Sequence, residues 1–322
     1  MDWKLIEQYD CKKEIAEPDG RFRIGNGYMS MYGQLDEQCQ YMIPAHSLNG
    51  ILISGENGWR TFLHTPNPCF TSLFLEQEEY AVGKKEILSH QQELDYRHGI
   101  WSRRTSWMTP KGKLTIYAER FTSREKQHAL FLQYRILPEF DGKIRLKTGI
   151  DLSERNAGQH LWQEYECEQI RGFSSQNTIL KVTADLHQNE NGVHMMEAVT
   201  FPYDCEQWIE QEQESFVRNM EFSAEKGKEY VLTKYVTQFS RQDSGFYDIK
   251  NAELLEEITQ TGYQKEKELH EKCWETVWEN CDIRWDIAED MEIKEQICQA
   301  VYALSCIPWT DNRKKKGKRK GR

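Results

Sequence analysis

Short runs in which apolar and polar residues alternate dominate the first three quarters of this 322-residue chain. In Leu114–Phe121, leucine, isoleucine and alanine alternate with threonine, tyrosine and glutamate. A second strand-like run, Trp101–Trp107, precedes it, and Met108–Lys113 joins the two with turn residues at its centre. Because the side chains of a strand point alternately to opposite faces, this pattern predicts a half-buried β-hairpin.

Further strands are predicted on both sides of this hairpin. Ala129–Ile136 and Lys143–Ile150 alternate in the same way, and Tyr230–Phe239 is rich in β-branched and aromatic residues. Turn-forming dipeptides divide the runs: Asn26-Gly27, Asn49-Gly50, Asn57-Gly58, Asp141-Gly142 and Asn191-Gly192. We therefore predict a mainly β fold, in which residues 1–248 form a large antiparallel β-sandwich domain.

The pattern becomes helical near Asp248. Strong helix formers fill Asn251–Cys281, and a second helical stretch covers Ile287–Cys306. Apolar residues recur at helical spacing in both: Leu255, Ile258, Leu269, Cys273 and Val277 in the first, and Ile293, Ile297, Ala300, Val301 and Leu304 in the second. We predict a short α-helical linker over residues 249–306, with two apolar stripes that each need a partner surface.

Residues 307–322 are predicted to form a basic, disordered tail. Ile307-Pro308-Trp309 closes the second helical stretch, and Asp311–Arg322 then contains eight Lys or Arg and no apolar residue. We hypothesise that this tail is translated out of frame from an interrupted gene; a targeting or nucleic-acid-binding tail is the alternative. Without it, the net charge of −10 becomes −17, which argues against nucleic acid or an anionic membrane as the main partner.

Cysteine usage indicates a reducing compartment. The nine cysteines are odd in number, and no two have C-x-x-C or zinc-type spacing, so we expect free thiols. Met1–Asp10 lacks the apolar core of a signal peptide, and no run approaches the roughly 20 apolar residues of a membrane span. We expect a soluble cytoplasmic protein without a membrane partner.

No motif identifies a catalytic, metal-binding or cofactor-binding residue, and we predict none in this chain. Gly25-Asn26-Gly27 begins like a dinucleotide fingerprint, but Ser30 stands where the third glycine belongs, so a tight turn between strands is favoured. His270-Glu271 begins a zinc-protease pattern that Trp274 breaks. The nine histidines are scattered singly, and no carboxylate pair stands out.

Four landmarks, in order, resemble the N-terminal domain of glycoside hydrolase family 65, which contains maltose, trehalose, kojibiose and nigerose phosphorylases and related hydrolases. They are Phe22–Met29 with Gly33; Leu94–Gly99 with Arg103 or Arg104, Trp107 and Glu119–Ser123; Gly149–Asp151 with Asn156 and His160; and Trp274, Trp278, Asp282 and Ile283 with Gln296 and Ala300. Ser30 and Tyr32 depart from the expected Gly and Arg, and Asp36-Glu37 stands for the expected Glu-Glu.

The resemblance implies the front part of an enzyme. In the family, a β-sandwich and helices lead into an (α/α)6 barrel that holds the general acid and binds phosphate, which attacks the anomeric carbon with inversion. Inorganic phosphate is thus implied as a co-substrate and an α-glucosyl disaccharide or oligosaccharide as a partner, both through that barrel, and dimer contacts are implied for this domain. Because this chain stops before the barrel, we expect it to be inactive alone.

Two other functions stay open. The chain could be a stand-alone carbohydrate-binding β-sandwich that uses exposed Trp or Tyr as stacking platforms, and its 10 Trp and 15 Tyr suit that role as well as core filling. A nucleic-acid binder driven by Asp311–Arg322 is the weaker alternative, because the rest of the chain is acidic.

Overall fold

A computed structural model describes most of the chain, and within the described residues it contains nineteen strands and three helices. The described residues are 3–9, 22–32, 35–37, 46–54, 60–154, 161–162, 164–172, 178–185, 192–243, 247–281 and 291–308. The predicted features at Gly33, Asn57-Gly58, Asn156, His160, Asn191, Asp282, Ile283, the predicted helix start at Ile287 and the tail from Trp309 onward lie outside them.

The strands are short at the beginning of the chain and long from the central hairpin onward. In chain order they are β1 (Lys4–Tyr9), β2 (Ile24–Gly25), β3 (Met29–Met31), β4 (His46–Leu48), β5 (Leu52–Ser54), β6 (Arg60–Phe62), β7 (Thr71–Leu75), β8 (Glu78–Tyr80), β9 (Ile87–Asp95), β10 (Ile100–Thr109), β11 (Gly112–Thr122), β12 (Ala129–Pro138), β13 (Gly142–Asp151), β14 (Glu164–Arg171), β15 (Thr178–Asp185), β16 (Gly192–Thr200), β17 (Glu206–Gln211), β18 (Ser215–Ala224) and β19 (Tyr230–Ser240). The helices are α1 (Tyr247–Thr261), α2 (Tyr263–Asn280) and α3 (Met291–Cys306).

Two large antiparallel sheets form the predicted sandwich, which confirms the predicted fold class. The nine-stranded sheet has the order β1-β9-β10-β11-β12-β19-β16-β15-β14, and the five-stranded sheet has the order β17-β18-β13-β7-β8. The predicted central hairpin is β10 and β11, and its strands extend further than the alternation alone indicated, so that Pro110 and Lys111 form the turn. Two small sheets, β2-β3-β4 and β5-β6, complete the β structure of the described residues.

The main core lies between the two large sheets. Along β12, Leu130, Leu132 and Tyr134 face this core, as their parity in the strand predicts. Phe131 has the opposite parity, yet it is also buried. It belongs to a second apolar cluster, in which Leu255 and Ile258 of α1 cover the outer face of the nine-stranded sheet. The sheet is therefore buried on both faces at its centre, which explains why its strands are so apolar.

The helices pack on the sandwich, but the predicted apolar stripe of α3 is not its buried face. Ile293 is 48% exposed and Leu304 is 56% exposed. The buried side chains of α3 are instead Cys298, Tyr302 and Cys306, which share the opposite side of the helix at four-residue spacing. The stripe predicted to need a partner surface thus stays largely exposed among the described residues, because Cys298, Tyr302 and Cys306 take the helix positions that face the sandwich.

The first predicted stripe, which crosses α1 and α2, is buried at Leu255 and Ile258 of α1 but does not form the buried face of α2. Leu269, Cys273 and Val277 are only half-buried, whereas Glu266, His270 and Trp274 are fully buried. Helix α2 therefore docks through polar residues that have partners in the sheet. The spacing of apolar residues does not reveal such a face. A buried polar side chain is stable only when another element provides a hydrogen bond, and that partner is not visible in the sequence of the helix itself.

Candidate functional site

Four charged side chains form a closed network in the core beneath β10 and β11. Arg103 donates from Nε to Asp36 Oδ2 over 3.0 Å and from Nη2 to Glu37 Oε1 over 2.5 Å. Arg120 donates from Nη1 to Asp36 Oδ1 over 3.0 Å. All four side chains are between 0% and 1% exposed. Two guanidinium groups and two carboxylates balance in charge, so this cluster satisfies the usual condition for burying ions.

Strand geometry places both arginines inside the sandwich. Arg103 has the same parity as Trp101 and Trp107 in β10, and all three are buried. Arg120 lies directly across from Trp101 in the hairpin register, and its guanidinium sits 3.9 Å from the centre of the Trp101 ring. This cation–π contact and the carboxylates together compensate for the water that Arg120 has lost.

Burial and pairing act in opposite directions on the network's pKa values. Burial raises the pKa of Glu37, although the neighbouring Arg103 opposes the rise. Burial alone would lower the pKa of Arg103, but the Glu37 and Asp36 carboxylates raise it above its ordinary value. Tyr134 also reaches Glu37 Oε1 at 3.4 Å. These buried groups join the segment around Asp36 to the central hairpin.

The opening turn attaches to the same hairpin through Asn26. Its Oδ1 accepts hydrogen bonds from the backbone N–H groups of Tyr28 and Met29, both at 2.9 Å, which closes the turn between β2 and β3. Its Nδ2 donates to the carbonyls of Ser123 (2.6 Å) and Gln127 (2.9 Å), just beyond β11. The predicted tight turn is confirmed, and the asparagine explains how it is fixed to the sheet.

Trp274 of α2 lies at the centre of a corner formed by the helices, the opening turn and the hairpin. Its ring is covered by the guanidinium of Arg124 at 4.3 Å, and Arg124 Nη1 also donates to the carbonyl of Ser305 in α3 over 3.2 Å. Tyr302 packs 5.1 Å from the Trp274 ring and donates to the carbonyl of Arg23 over 2.7 Å. Helices α2 and α3 are thereby attached to Arg124, which follows β11, and to Arg23, which precedes β2.

Two buried polar side chains complete the docking of α2. Lys126 donates to Glu266, and its ammonium also lies 3.3 Å from Glu257. His270 Nδ1 accepts the backbone N–H of Arg124 at 3.2 Å, and its ring stacks on Phe121 with centroids 4.6 Å apart. Because an accepting nitrogen cannot carry a proton, His270 is neutral in the folded state.

Burial lowers the pKa of His270 to about 3, of His90 to about 3 and of His46 to about 4. These rings ionise near pH 6.5 once the chain unfolds, so the unfolded chain binds more protons between that pH and the folded pKa values. Stability should therefore be full above about pH 6.5 and fall as the pH is lowered. Each fully buried ring should account for about 2 kcal/mol between pH 7 and pH 5. Urea unfolding at both pH values measures the loss.

His98 provides the control of opposite sign. A hydrogen bond to Asp95 raises its pKa, so its stabilisation is present at low pH and is lost as the pH rises through its folded pKa. His270→Asn should reduce the loss of unfolding free energy between pH 7 and pH 5, and His98→Gln should increase that loss slightly. If the unfolding free energy of His270→Asn depends on pH as strongly as that of the unchanged chain, His270 is not a buried, neutral ring.

Three charged residues of the hairpin that contribute to the family resemblance, Arg103, Arg104 and Glu119, have different surroundings. Arg103 is buried in the network, whereas Arg104 has the opposite parity and is exposed over the Tyr117 ring at 5.4 Å. Glu119 accepts hydrogen bonds from Tyr263 Oη (2.8 Å) and Lys267 Nζ (2.7 Å), so it attaches α2 to β11. Sequence reasoning missed the roles of Asp36 and Arg120, although Arg120 continues the inward parity of Leu114–Phe121 and could have been found from it.

Two open clefts lie beside the connection between β16 and β17, with volumes of about 850 Å³ and about 410 Å³. The strongly exposed large apolar side chains of the described part are all aliphatic: Ile6, Leu88, Met108, Ile249, Ile293, Ile297 and Leu304. Every aromatic ring whose exposure is described is at least half-buried. The described surface thus presents no strongly exposed aromatic ring on which a sugar could stack, as a carbohydrate-binding function would require.

The described segments contain neither a metal-ligand cluster nor a membrane-spanning helix. Where the structure describes the chain, no three His, Cys, Asp or Glu side chains converge as metal ligands would. Among its helices, none is both long enough and apolar enough to cross a membrane. The seven cysteines that fall in described segments are free thiols, and Cys11 and Cys39 lie outside those segments.

Comparisons with curated proteins and solved structures agree with this architecture. A nigerose phosphorylase from Lachnoclostridium phytofermentans is 28% identical over 95% of this chain, which covers 43% of that protein. A 1,2-alpha-glucosylglycerol phosphorylase from Bacillus selenitireducens is 26% identical over 94% of this chain and 39% of its own length. A solved structure of a putative kojibiose phosphorylase from human microbiome superposes with a TM-score of 0.81 over 94% of this chain and 41% of its own, at 17% identity, which supports the fold alone.

The sequence profile of the glycosyl hydrolase family 65 N-terminal domain matches residues 7–277. The match includes the opening turn, Asp36 with Glu37, the central hairpin and most of α2, which are the parts that the buried network and the helical corner join. The chain spans about two fifths of the length of the curated relatives described above. With most of its length matched by the profile, the chain belongs to glycosyl hydrolase family 65 and contains that family's N-terminal domain.

Proposed function

We propose that this chain is the N-terminal part of an inverting phosphorylase that cleaves an α-glucosyl disaccharide with inorganic phosphate. The observation that carries the proposal is the similarity to a nigerose phosphorylase along 95% of the chain. Further relatives include a kojibiose phosphorylase from Caldanaerobacter subterraneus and an alpha,alpha-trehalose phosphorylase from Thermoanaerobacter brockii, at 24% and 25% identity. The glucosidic linkage stays undetermined because these relatives have different substrates.

The chemistry proposed for the whole protein takes place on a domain outside these 322 residues. There a carboxylic acid protonates the glycosidic oxygen while phosphate attacks the anomeric carbon from the opposite face, so an α-glucoside yields a β-glucosyl phosphate. Phosphate is already an anion, so no second carboxylate is required to activate it. In this account the residues described above provide a rigid scaffold, and the chain itself carries no catalytic group.

The coding sequence and an assay test this proposal together. A reading frame beyond codon 322, in the same frame or displaced by one base, should encode a helical barrel with a candidate acid glutamate. The protein made from the joined frame should release glucosyl phosphate from nigerose, kojibiose or trehalose only when phosphate is present, and NMR should identify the β anomer. Release of free glucose at the same rate without phosphate would contradict phosphorolysis and favour a hydrolase.

A homodimer and a cytoplasmic location complete the proposal. Light scattering of the purified chain should give twice the monomer mass if the dimer contacts lie in this domain. A monomer at all concentrations would exclude dimerisation through these residues.

A further inference from the structure

A second group of buried charges lies between the two sheets, away from the Asp36 network. Lys234 of β19 is fully buried, and its Nζ donates to the carbonyls of Gly149 (2.6 Å) and Phe70 (3.1 Å) and lies 3.6 Å from Glu197 Oε2. Arg218 of β18 is 4% exposed. Lys234, Glu197 and Arg218 each stand two residues from apolar side chains of the same strand that belong to the main core. Because alternate residues of a strand point to the same side, all three face the interior of the sandwich.

This second group is not balanced in charge. Two cations, Lys234 and Arg218, accompany a single carboxylate, Glu197, whereas the Asp36 network has two of each sign. Burial lowers the pKa of both cations, and Glu197 offsets this only in part. A buried cation without a full counter-charge is costly, and the cost falls when an anion approaches it.

Arg218 also has unused hydrogen-bonding capacity. Its Nη2 donates to the Thr178 carbonyl over 2.6 Å, but its buried Nε–H has no acceptor among the residues that the structure describes. Leaving a donor of a buried charged group unpaired costs at least about 1–3 kcal/mol. An acceptor that enters beside Arg218 would recover this energy.

The smaller cleft, of about 410 Å³, opens at Arg218. The residues that line it include Arg218, Thr178, Val199, Gln207, Phe201 and Met220, and no Asp or Glu lines it. The adjoining cleft of about 850 Å³ contains four carboxylates, from Asp204, Glu206, Glu221 and Glu225. In a chain with a net charge of −10, a carboxylate-free cleft around an under-compensated arginine is the place that would admit an anion.

We propose that this cleft binds a phosphoryl oxyanion, either inorganic phosphate or the phosphate group of a small phosphorylated sugar, with Arg218 as the binding cation. The planar guanidinium matches two phosphate oxygens, and the hydroxyl of Thr178 and the Gln207 amide supply neutral donors around it. The site lies within this chain and does not depend on the catalytic reaction proposed above, because it is tested by binding to the chain itself.

The test is a calorimetric titration of the full chain with inorganic phosphate and with glucose 1-phosphate, at constant ionic strength. Saturable millimolar binding is expected, and the tighter of the two ligands identifies the source of the phosphoryl group. Gln207→Glu places a carboxylate in the cleft on an exposed edge strand and should weaken binding about tenfold, or about 1.4 kcal/mol. Arg218→Met should abolish binding.

Gln211→Glu is the matched control. It adds the same charge to the same strand, β17, outside the lining of the cleft, and should leave the affinity unchanged. If Arg218→Met does not fold, the affinities of Gln207→Glu and Gln211→Glu for phosphate still show whether the ligand binds in this cleft. Absence of saturable binding, equal weakening by the two glutamates, or competition by equimolar chloride or acetate as effective as phosphate would overturn the proposal.

Discussion

Replacing Asp36 with asparagine should lower the free energy of unfolding by about 3–5 kcal/mol. Asp36 accepts hydrogen bonds from both Arg103 and Arg120, so its neutralisation leaves two buried guanidinium groups with only the Glu37 carboxylate. Neither arginine can lose its proton to relieve the imbalance. Equilibrium denaturation in guanidinium chloride, followed by tryptophan fluorescence because Trp101 lies against Arg120, measures the loss directly.

Glu93→Gln is the control for this prediction. Glu93 pairs with Lys4 over 2.7 Å, which is as short as a buried pair, but the lysine is 49% exposed. Water screens such a pair, and its loss should change stability by less than about 1 kcal/mol. Equal effects of the two substitutions would mean that the Asp36 network is hydrated in solution and does not act as the structural centre assigned to it.

Gly99→Ala should destabilise the chain by about 2–4 kcal/mol and loosen α2 from the hairpin. Gly99 has a φ of +66°, which disfavours any side chain, and an added Cβ would lie 2.5 Å from Trp274 Nε1. Trp274 is fully buried between Arg124 and Tyr302, so its ring has little room to retreat. Near-ultraviolet circular dichroism should show a changed tryptophan signal together with the lower unfolding midpoint.

Gly262→Ala separates backbone strain from the steric clash. Gly262 has a similar φ of +82°, but no atom lies within 4 Å of the position that its Cβ would occupy. Alanine there should cost only the strain of the left-handed conformation, about 1–2 kcal/mol, and leave the tryptophan signal unchanged. If both alanine variants lose the same unfolding free energy, Gly99 does not lie as close to Trp274 as the structure shows.

The fold class followed from alternation because an antiparallel strand that faces a core on one side leaves a period of two in the sequence. Parity within a strand also carries information on charged residues. Arg103 and Arg120 occupy inward positions, and an inward arginine requires a buried carboxylate. What parity cannot supply is the identity of that partner: Asp36 and Glu37 lie more than 60 residues away in sequence, and only the folded chain brings them together.

The helices show the limit of apolar counting. The face of α3 with the strongest apolar character is exposed, and the buried face of α2 carries Glu266 and His270. Their burial depends on Lys126 and on the backbone of Arg124, which are contributed by a loop of the sheet. Which polar residue finds such a partner is decided by tertiary geometry, so the local sequence pattern did not reveal it.

The residues that carry the family resemblance are thus connected to one another. The opening turn reaches Ser123 through Asn26, Asp36 pairs with the arginines of the hairpin, and Trp274 packs against Gly99. Three of the four landmarks are joined in this way by buried contacts, whereas Gly149–Asp151 pairs with the backbone of Asn67 and Phe70 instead. These contacts give the three joined landmarks a role in holding the sheet, the opening turn and α2 together.

The most direct test of this account is an activity measurement on the purified 322-residue chain. The chain should be incubated with nigerose, kojibiose, trehalose and maltose, with and without phosphate, and both glucosyl phosphate and free glucose should be measured. If this chain is a scaffold, it should be a folded protein that releases neither product above a blank containing the Asp36→Asn variant. Turnover that saturates with substrate and disappears in that variant would show that the catalytic groups lie within this chain, and would contradict the scaffold role.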